Sequence, residues 1–315
     1  MRFLISLLLF CAVNATAQSY PSRPVRVLVG FPPGGGTDIM ARFLAPKLQE
    51  YLGQPFVVEN RPGATTNIAS DMVAKSAPDG QTLLFTTSAL AINMSLYKNL
   101  PFDALKDFAP VSVFADSPNL LVAHQSAGAN VQELLARARA RPDSMNYSSA
   151  GSGTSQHLAG ELFKARTGAK IAHIPYKGTA ASLTAVIAGE VQFSFANVPA
   201  ILGHVRSGRL RALAVLADKR SSLMPDVPTM KEAGVDGVVV PVWYALLAPA
   251  ATPREIVKAL GDATARAARA PDLSQKLIEQ GAEPVGNTPE EFSKLLREEV
   301  TRWAEVVRIS GAKAE

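Results

Sequence analysis

With 315 residues, 47% of them hydrophobic and 19% charged, the chain has a globular composition and more length than one small core needs, which excludes disordered and fibrous classes. Its 32 Lys and Arg against 27 Asp and Glu leave +5, spread along helix faces (Arg137, Arg139, Arg141). It lacks the dense basic stripe with stacking aromatics that nucleic-acid binding requires.

At the N-terminus, Met1-Arg2, an apolar run from Phe3 to Val13 and Ala15-Thr16-Ala17 read as a secretory signal peptide cleaved after Ala17. The run is short for a membrane span. Cys11 would suit a lipoprotein only poorly, because bulky Phe10 precedes it. Cys11 is also the one cysteine, so the mature chain would carry no disulfide and no Cys-ligated metal.

Strand-like and helix-like segments then alternate. Strands are predicted at Val25–Gly30, Phe56–Glu59 and Thr82–Thr86, with helices at Asp38–Leu52 and Asn67–Lys75. The βαβαβ rhythm predicts a mainly parallel sheet with helices on both faces. A second run follows, with strands at Leu120–Ala123, Asn146–Ser149, Ile171–Ile174, Val191–Ala196 and Leu210–Ala214. Helices at Val131–Ala140, Ser155–Thr167, Thr179–Ala188 and Pro199–Ser207 lie between them. A strand at Val242–Ala248 and three helices, Pro253–Ala268, Pro271–Gln280 and Pro289–Ser310, complete the chain; Pro at a helix start costs no hydrogen bond. Extended passages at Ala115–Asn119 and Asp218–Val227 would carry the chain out and back. The expected organisation is a first lobe of 18–117 plus 224–315, with a second lobe, 118–223, inserted through a two-strand hinge. Ligands of such folds sit in the cleft at the carboxyl ends of the strands.

Two glycine loops carry the chemistry. Pro33-Gly34-Gly35-Gly36-Thr37-Asp38 follows the first strand and opens the first helix. Ala150-Gly151-Ser152-Gly153-Thr154-Ser155 does the same in the other predicted lobe and leads into His157. A helix start offers unpaired N–H groups and partial positive charge, and glycine lets a ligand approach the backbone. One such loop per lobe can grip an anion between them. Neither loop matches a nucleotide motif: the third glycine of G-x-G-x-x-G would be position 156, which is Gln, and no Gly-Lys-Ser/Thr is present. A carboxylate fits better than a pyrophosphate. Asp38 reads either as a first-turn acid favoured by the helix dipole or as a partner for a ligand ammonium. His157 reads either as a donor lining the cleft or as a packing residue. His124, His173 and His204 lack metal-like spacing. A hydrolase using Ser152, Ser155 and His157 is disfavoured, since no G-x-S-x-G elbow exists and residues two apart on a helix do not face each other. The chain is therefore read as a binding protein without cofactor or metal, not an enzyme.

These stretches, with Val29-Gly30-Phe31-Pro32, Glu59-Asn60-Arg61-Pro62-Gly63-Ala64, Ala77-Pro78-Asp79-Gly80-Gln81-Thr82, His173-Ile174-Pro175-Tyr176-Lys177-Gly178, Gly208-Arg209-Leu210-Arg211-Ala212-Leu213-Ala214, Pro225-Asp226-Val227-Pro228-Thr229 and Thr288-Pro289-Glu290-Glu291-Phe292, resemble the substrate-binding component of tripartite tricarboxylate transporters, the Bug-type receptors. The match runs from about Tyr20 to Lys313. The resemblance implies an α/β periplasmic binding protein, type II-like, whose two lobes close on a ligand. The ligand would be a di- or tricarboxylate, an acidic amino acid or an aromatic acid. It also implies transient membrane transporter partners, or a signalling kinase if the protein senses instead of feeding uptake, and a monomer. By position, Phe31, Gly35, Gly36, Thr37 and Asp38 would come from the first lobe, beside Ser88 and Ala89 at a strand end. Ser152, Gly153, Thr154, His157, Tyr176 and Asn197 would come from the second. The small residues Ser88, Ala89 and Ala91 depart from the larger polar residues of relatives and imply a different distal pocket.

Overall fold

The computed structural model describes residues 20–142 and 144–314. The signal-peptide and Cys11 readings fall outside the described residues. Among those described, no helix is long and apolar enough to cross a membrane, and no cluster of His, Cys, Asp and Glu could hold a metal ion.

The chain alternates strand and helix as its patterning implies. β1 (Val25–Val29), α1 (Gly36–Leu52), β2 (Phe56–Asn60), α2 (Asn67–Ala74), β3 (Thr82–Thr87), α3 (Ala89–Leu96) and the 16-residue β4 (Phe108–Ala123) come first. Then follow α4 (Val131–Ala140), β5 (Asn146–Ser149), α5 (Ser155–Thr167), β6 (Ala172–Pro175), α6 (Thr179–Ile187), β7 (Phe193–Asn197), α7 (Val198–Arg206) and β8 (Arg211–Val215). The chain ends with β9 (Pro241–Pro249), α8 (Arg254–Arg269), α9 (Pro271–Glu279), β10 (Glu283–Pro284) and α10 (Pro289–Ser310). Local chemistry sets the ends. α10 begins with a Thr288/Glu291 capping box, and Pro289 opens its first turn, where no N–H is needed. α5 is capped by Thr154 and stopped by Gly168 in the left-handed conformation.

The sheet runs β2-β1-β3-β9-β4-β7-β5-β6, with β8 and β10 also on β4. It is mixed, not mainly parallel as the rhythm predicts. β1, β2 and β3 pair parallel, as do β5, β6 and β7, but every pairing of β4 and β9 is antiparallel. The cause is topological: one strand carries the chain out, another brings it back, and neighbours running in opposite senses must pair antiparallel. Phe108 to Pro118 of β4 pair with β9, whereas Asn119 to Ala123 pair with β7 and β8. β4 thus belongs to both halves of the sheet. The return differs from the expected passage at Asp218–Val227. Pro228 and Met230 still bond to Val215, and the chain rejoins the first half only at Val240, whose carbonyl accepts from Asn119 N–H, and Pro241, which pairs with Pro118.

Helices cover both faces. α1, α8 and α9 close one face of the first half over Val25, Val27, Phe85 and Leu246. α6 and α7 close one face of the second half over Leu120 and Val122. The third apolar cluster is continuous across both halves, joining α2 and α3 to α4 and α5 through Phe292, Leu296 and Trp303 of α10. That helix packs on α3 and α5 together.

Candidate functional site

At the carboxyl ends of the strands, helix starts from both halves converge. α1 begins at Gly36 after β1, α5 at Ser155 after β5, α6 at Thr179 after β6, and α7 at Val198 after β7. Gly35, Gly36, Thr37, Thr154, Ser155, Thr179 and Asn197 line one inner cavity, with Phe31, Pro32, Thr87, Ala150, Gln156 and Val242. Its volume is about 20 Å³, the space of about one water molecule. No charged side chain lines it. α1, α6 and α7 have no side-chain cap, so their first-turn N–H groups are left to this cavity or to solvent. Positive helix ends without a cation make a site for an anion.

Side chains brace the loops. Gln156 accepts from Ala150 N–H at 2.9 Å and donates to Thr179 Oγ1 at 3.0 Å, tying the second glycine loop to the start of α6. Asn119, where β4 changes sheet halves, donates to Ser155 Oγ (3.2 Å) and the Val240 carbonyl (3.0 Å). The crossing strand and the cavity wall are therefore in direct hydrogen-bonded contact. Asn197 Oδ1 and the Tyr244 hydroxyl are buried without a partner among the described residues, and both lie beside Gly36. A Cβ on Gly36 would fall 2.3 Å from Asn197 Oδ1 and 2.8 Å from the Tyr244 oxygen, so only glycine lets the two halves approach this closely.

A second chamber, about 480 Å³, adjoins the first and shares Phe31, Pro32 and Ala150 with it. Tyr97, Ser152, Tyr176 and Lys177 line it, together with the rim Pro62–Thr65. Ala64, Thr65 and Thr66 are consecutive left-handed residues, φ +43°, +49° and +73°, an unfavourable conformation for β-branched threonine. Bonds across the cleft hold it: Thr65 Oγ1 donates to the Ser152 carbonyl at 2.6 Å, and the Tyr97 hydroxyl donates to the same oxygen at 3.0 Å. Asn93 Nδ2 donates to the Thr65 carbonyl at 2.9 Å. The halves are thus in closed contact.

The structure sorts the residues expected from the sequence. Phe31, Gly35, Gly36, Thr37, Thr154 and Asn197 meet at the inner cavity, and Ser152 and Tyr176 line the outer chamber. Asp38, Ser88, Ala89, Gly153 and His157 line neither. Asp38 is buried behind its own loop, where it accepts from Gly34 N–H, Arg42 Nε and Asn60 Nδ2. Burial alone would raise its pKa, but the bonds from Arg42, Asn60 and Gly34 outweigh that and hold it below the ordinary value. It pins the loop and does not face the cavity. Ser88 and Ala89 are buried at the start of α3, behind Thr87. Gly153, at φ +94°, presses on Asn93, Leu96 and Tyr97. His157 supports it from behind: Nδ1 accepts Gly153 N–H at 3.2 Å, and the ring stacks on His173 at 4.3 Å. Burial lowers the His173 pKa to about 4, so its ring is neutral near pH 7. Sequence reading missed Gln156, Thr179 and Val242 as cavity walls, whereas Thr87, read as a strand end beside the cleft, is one. Gly178-Thr179 after β6 had the same strand–glycine–helix signature as the other loops and could have been read.

Comparison with known proteins shows the family. Residues 40–311 match the family described as the tripartite tricarboxylate transporter family receptor. This chain belongs to that family. Among curated relatives, Protein BugT of Bordetella pertussis is 42% identical over 305 residues, 96% of this chain and 94% of BugT. Among solved structures, R. palustris Rpa4515 with adipate superposes with a TM-score of 0.91 at 37% identity, covering 94% of this chain and all of that one. MatC from Rhodopseudomonas palustris with bound malate gives 0.87 at 32%, covering 91% and 100%. The tripartite tricarboxylate transporter receptor fold, a periplasmic binding protein of α/β type, is therefore that of this chain, and the chain is a solute-binding receptor.

Proposed function

We propose that this receptor works in the periplasm, captures a small carboxylate and delivers it to a membrane transporter. The observation that carries the reading is the inner cavity: uncapped helix starts from both halves of the sheet meet there with no charged side chain. The two sheet halves act as lobes that part about the β4 and β9 crossing. A carboxylate entering the open cleft binds one glycine loop first, and closure then brings the other half's helix starts onto it. Each hydrogen bond to a charged group contributes about 1.5–3 kcal/mol, so three or four support micromolar binding, roughly −8 kcal/mol, after ordering costs. The carboxylates of adipate and malate, bound by the two R. palustris relatives, support this assignment. His157 supports a receptor over a hydrolase, because its Nδ1 is engaged by a backbone N–H and its ring is stacked in the core.

A thermal-shift screen of the purified protein tests the proposal. At about one hundred times its dissociation constant, a carboxylate is expected to add roughly 2.7 kcal/mol of stability. Stabilisation by sugars and by no organic acid would sink it.

A further inference from the structure

Gln156 and Thr179 are hydrogen-bonded partners on the wall of the inner cavity. Their neighbours fix which end of the Gln156 amide is which. Ala150 N–H can only donate, so the atom it meets at 2.9 Å is Oε1, and Nε2 is turned to Thr179. Nε2 can only donate in its turn, so Thr179 Oγ1 accepts, at 3.0 Å. The hydroxyl's own hydrogen is left over, and it has no acceptor among the described residues. Thr179 Oγ1 faces the other half of the molecule, 3.8 Å from the point that a Cβ on Gly35 would occupy. Both residues are buried, so little of either meets solvent. The same polarity recurs around the cavity. Asn119 Nδ2 donates to Ser155 Oγ at 3.2 Å, and Ala89 N–H donates to Thr87 Oγ1 at 3.3 Å, so these hydroxyls also accept from the protein. The buried side-chain acceptor on the wall, Asn197 Oδ1, lies beside Gly36 with the Tyr244 hydroxyl, itself able to donate.

We propose that Gln156 is a positioning residue for ligand capture: it holds Thr179 in the donor role, so that the hydroxyl hydrogen meets the anion seated at the start of α1. The inference rests on the inner cavity taking a carboxylate, as proposed above. A hydroxyl can give or receive a hydrogen bond, and an unconstrained threonine would suit an amide or a protonated acid as well as a carboxylate. Engaging its lone pair with a buried amide removes that choice. The wall then presents a hydroxyl hydrogen next to the helix-start N–H groups, and an ionised carboxylate, which only accepts, satisfies both. The donor is aimed before the ligand arrives, so its ordering is not charged to binding. Gln156 acts through Thr179 and needs no contact with the ligand.

A double-mutant cycle tests it, measured by titration calorimetry with adipate or malate, whichever binds the unmodified receptor more tightly. Thr179→Val keeps the shape but loses the hydroxyl, and is expected to weaken the acid about tenfold. Thr179→Ser, which restores the hydroxyl, should recover most of that loss. Gln156→Met is expected to cost about fivefold in the parent and less than about twofold once Thr179 is Val, since the amide then has nothing to orient. Gln156→Glu carries the same cycle should Gln156→Met not fold, because it still accepts from Ala150 N–H. It takes the Thr179 hydrogen instead of supplying one, and its loss is expected to shrink at least about threefold in the Thr179→Val background, where its charge alone acts. A loss from either Gln156 variant that is the same in both backgrounds, or no loss in Thr179→Val, would overturn the positioning role. Binding of neither acid to the unmodified receptor would instead overturn the carboxylate reading beneath it.

Discussion

Gly36 and Gly35 are neighbours with different duties. A methyl group on Gly35 would have nothing nearer than the Thr179 side chain at 3.8 Å, whereas one on Gly36 would collide with Asn197 and Tyr244. Gly35→Ala is therefore expected to keep carboxylate affinity within about twofold. Gly36→Ala should cost about 1–3 kcal/mol of closure, roughly a ten- to hundredfold rise in Kd by calorimetry. Glu299 is a different kind of constraint. Its buried carboxylate accepts from Trp243 Nε1 at 3.1 Å, Trp303 Nε1 at 2.9 Å and Arg302 at 2.9 Å, tying α10 to β9. Glu299→Ala leaves both indole N–H groups unmatched and is expected to destabilise the fold by about 3 kcal/mol in urea titration. A loss under about 0.5 kcal/mol would show that the network is not structural. Residue identity alone hid such roles. The pattern Gly34 to Asp38 fits a first-turn acid, yet nothing in it says that Arg42 and Asn60 turn the carboxylate away from the cleft. Nor does the spacing of Gly153 and His157 reveal that the ring accepts the loop's own N–H.

At the level of elements, several helix starts were legible because caps and prolines mark them: Val131, Ser155, Pro271 and Pro289 open their helices where expected, as does Thr179 after Gly178. α3 was not legible. Ala89, Leu90, Ala91, Ile92 and Asn93 are all buried, so the segment has no polar face to give it a helical period. The first part of β4 was hidden by Pro110 and Pro118, which suggest a linker. The strand tolerates Pro110 because its register with β9 shifts just beyond it, and Pro118 because it lies where the strand changes partners. β10 places Glu283 opposite Asp116 of β4. Burial, with Glu283 beside it, pushes the Asp116 carboxyl up to about 6. The folded protein then keeps a proton that the unfolded chain releases between roughly pH 4 and 6, so the stability from this group is lost as pH rises through that window. Asp116→Asn is expected to be more stable than the parent by about 1 kcal/mol at pH 7.5 and near parity at pH 4, in paired urea titrations. A gain that is the same at both pH values would refute the assignment.

At the scale of the molecule, closure is shared between ligand and protein. The Thr65 hydroxyl donates to the Ser152 carbonyl, so the protein itself contributes a bond to the closed state. Thr65→Ala is expected to lose about 1 kcal/mol of that bridge and raise carboxylate Kd about fivefold, while Thr65→Ser retains it. Equal affinities for the two variants would remove the bridge from the account.

Asn119 and Val240 are one hydrogen bond apart, so everything between them is an excursion whose ends nearly touch. Such a segment can be exchanged as a cassette, provided the surface of α10 that rests on α5 is kept matched. A chimera built at those two positions would inherit one wall of its pocket from each parent, which makes recombination at the strand crossing a direct route to receptors of new selectivity.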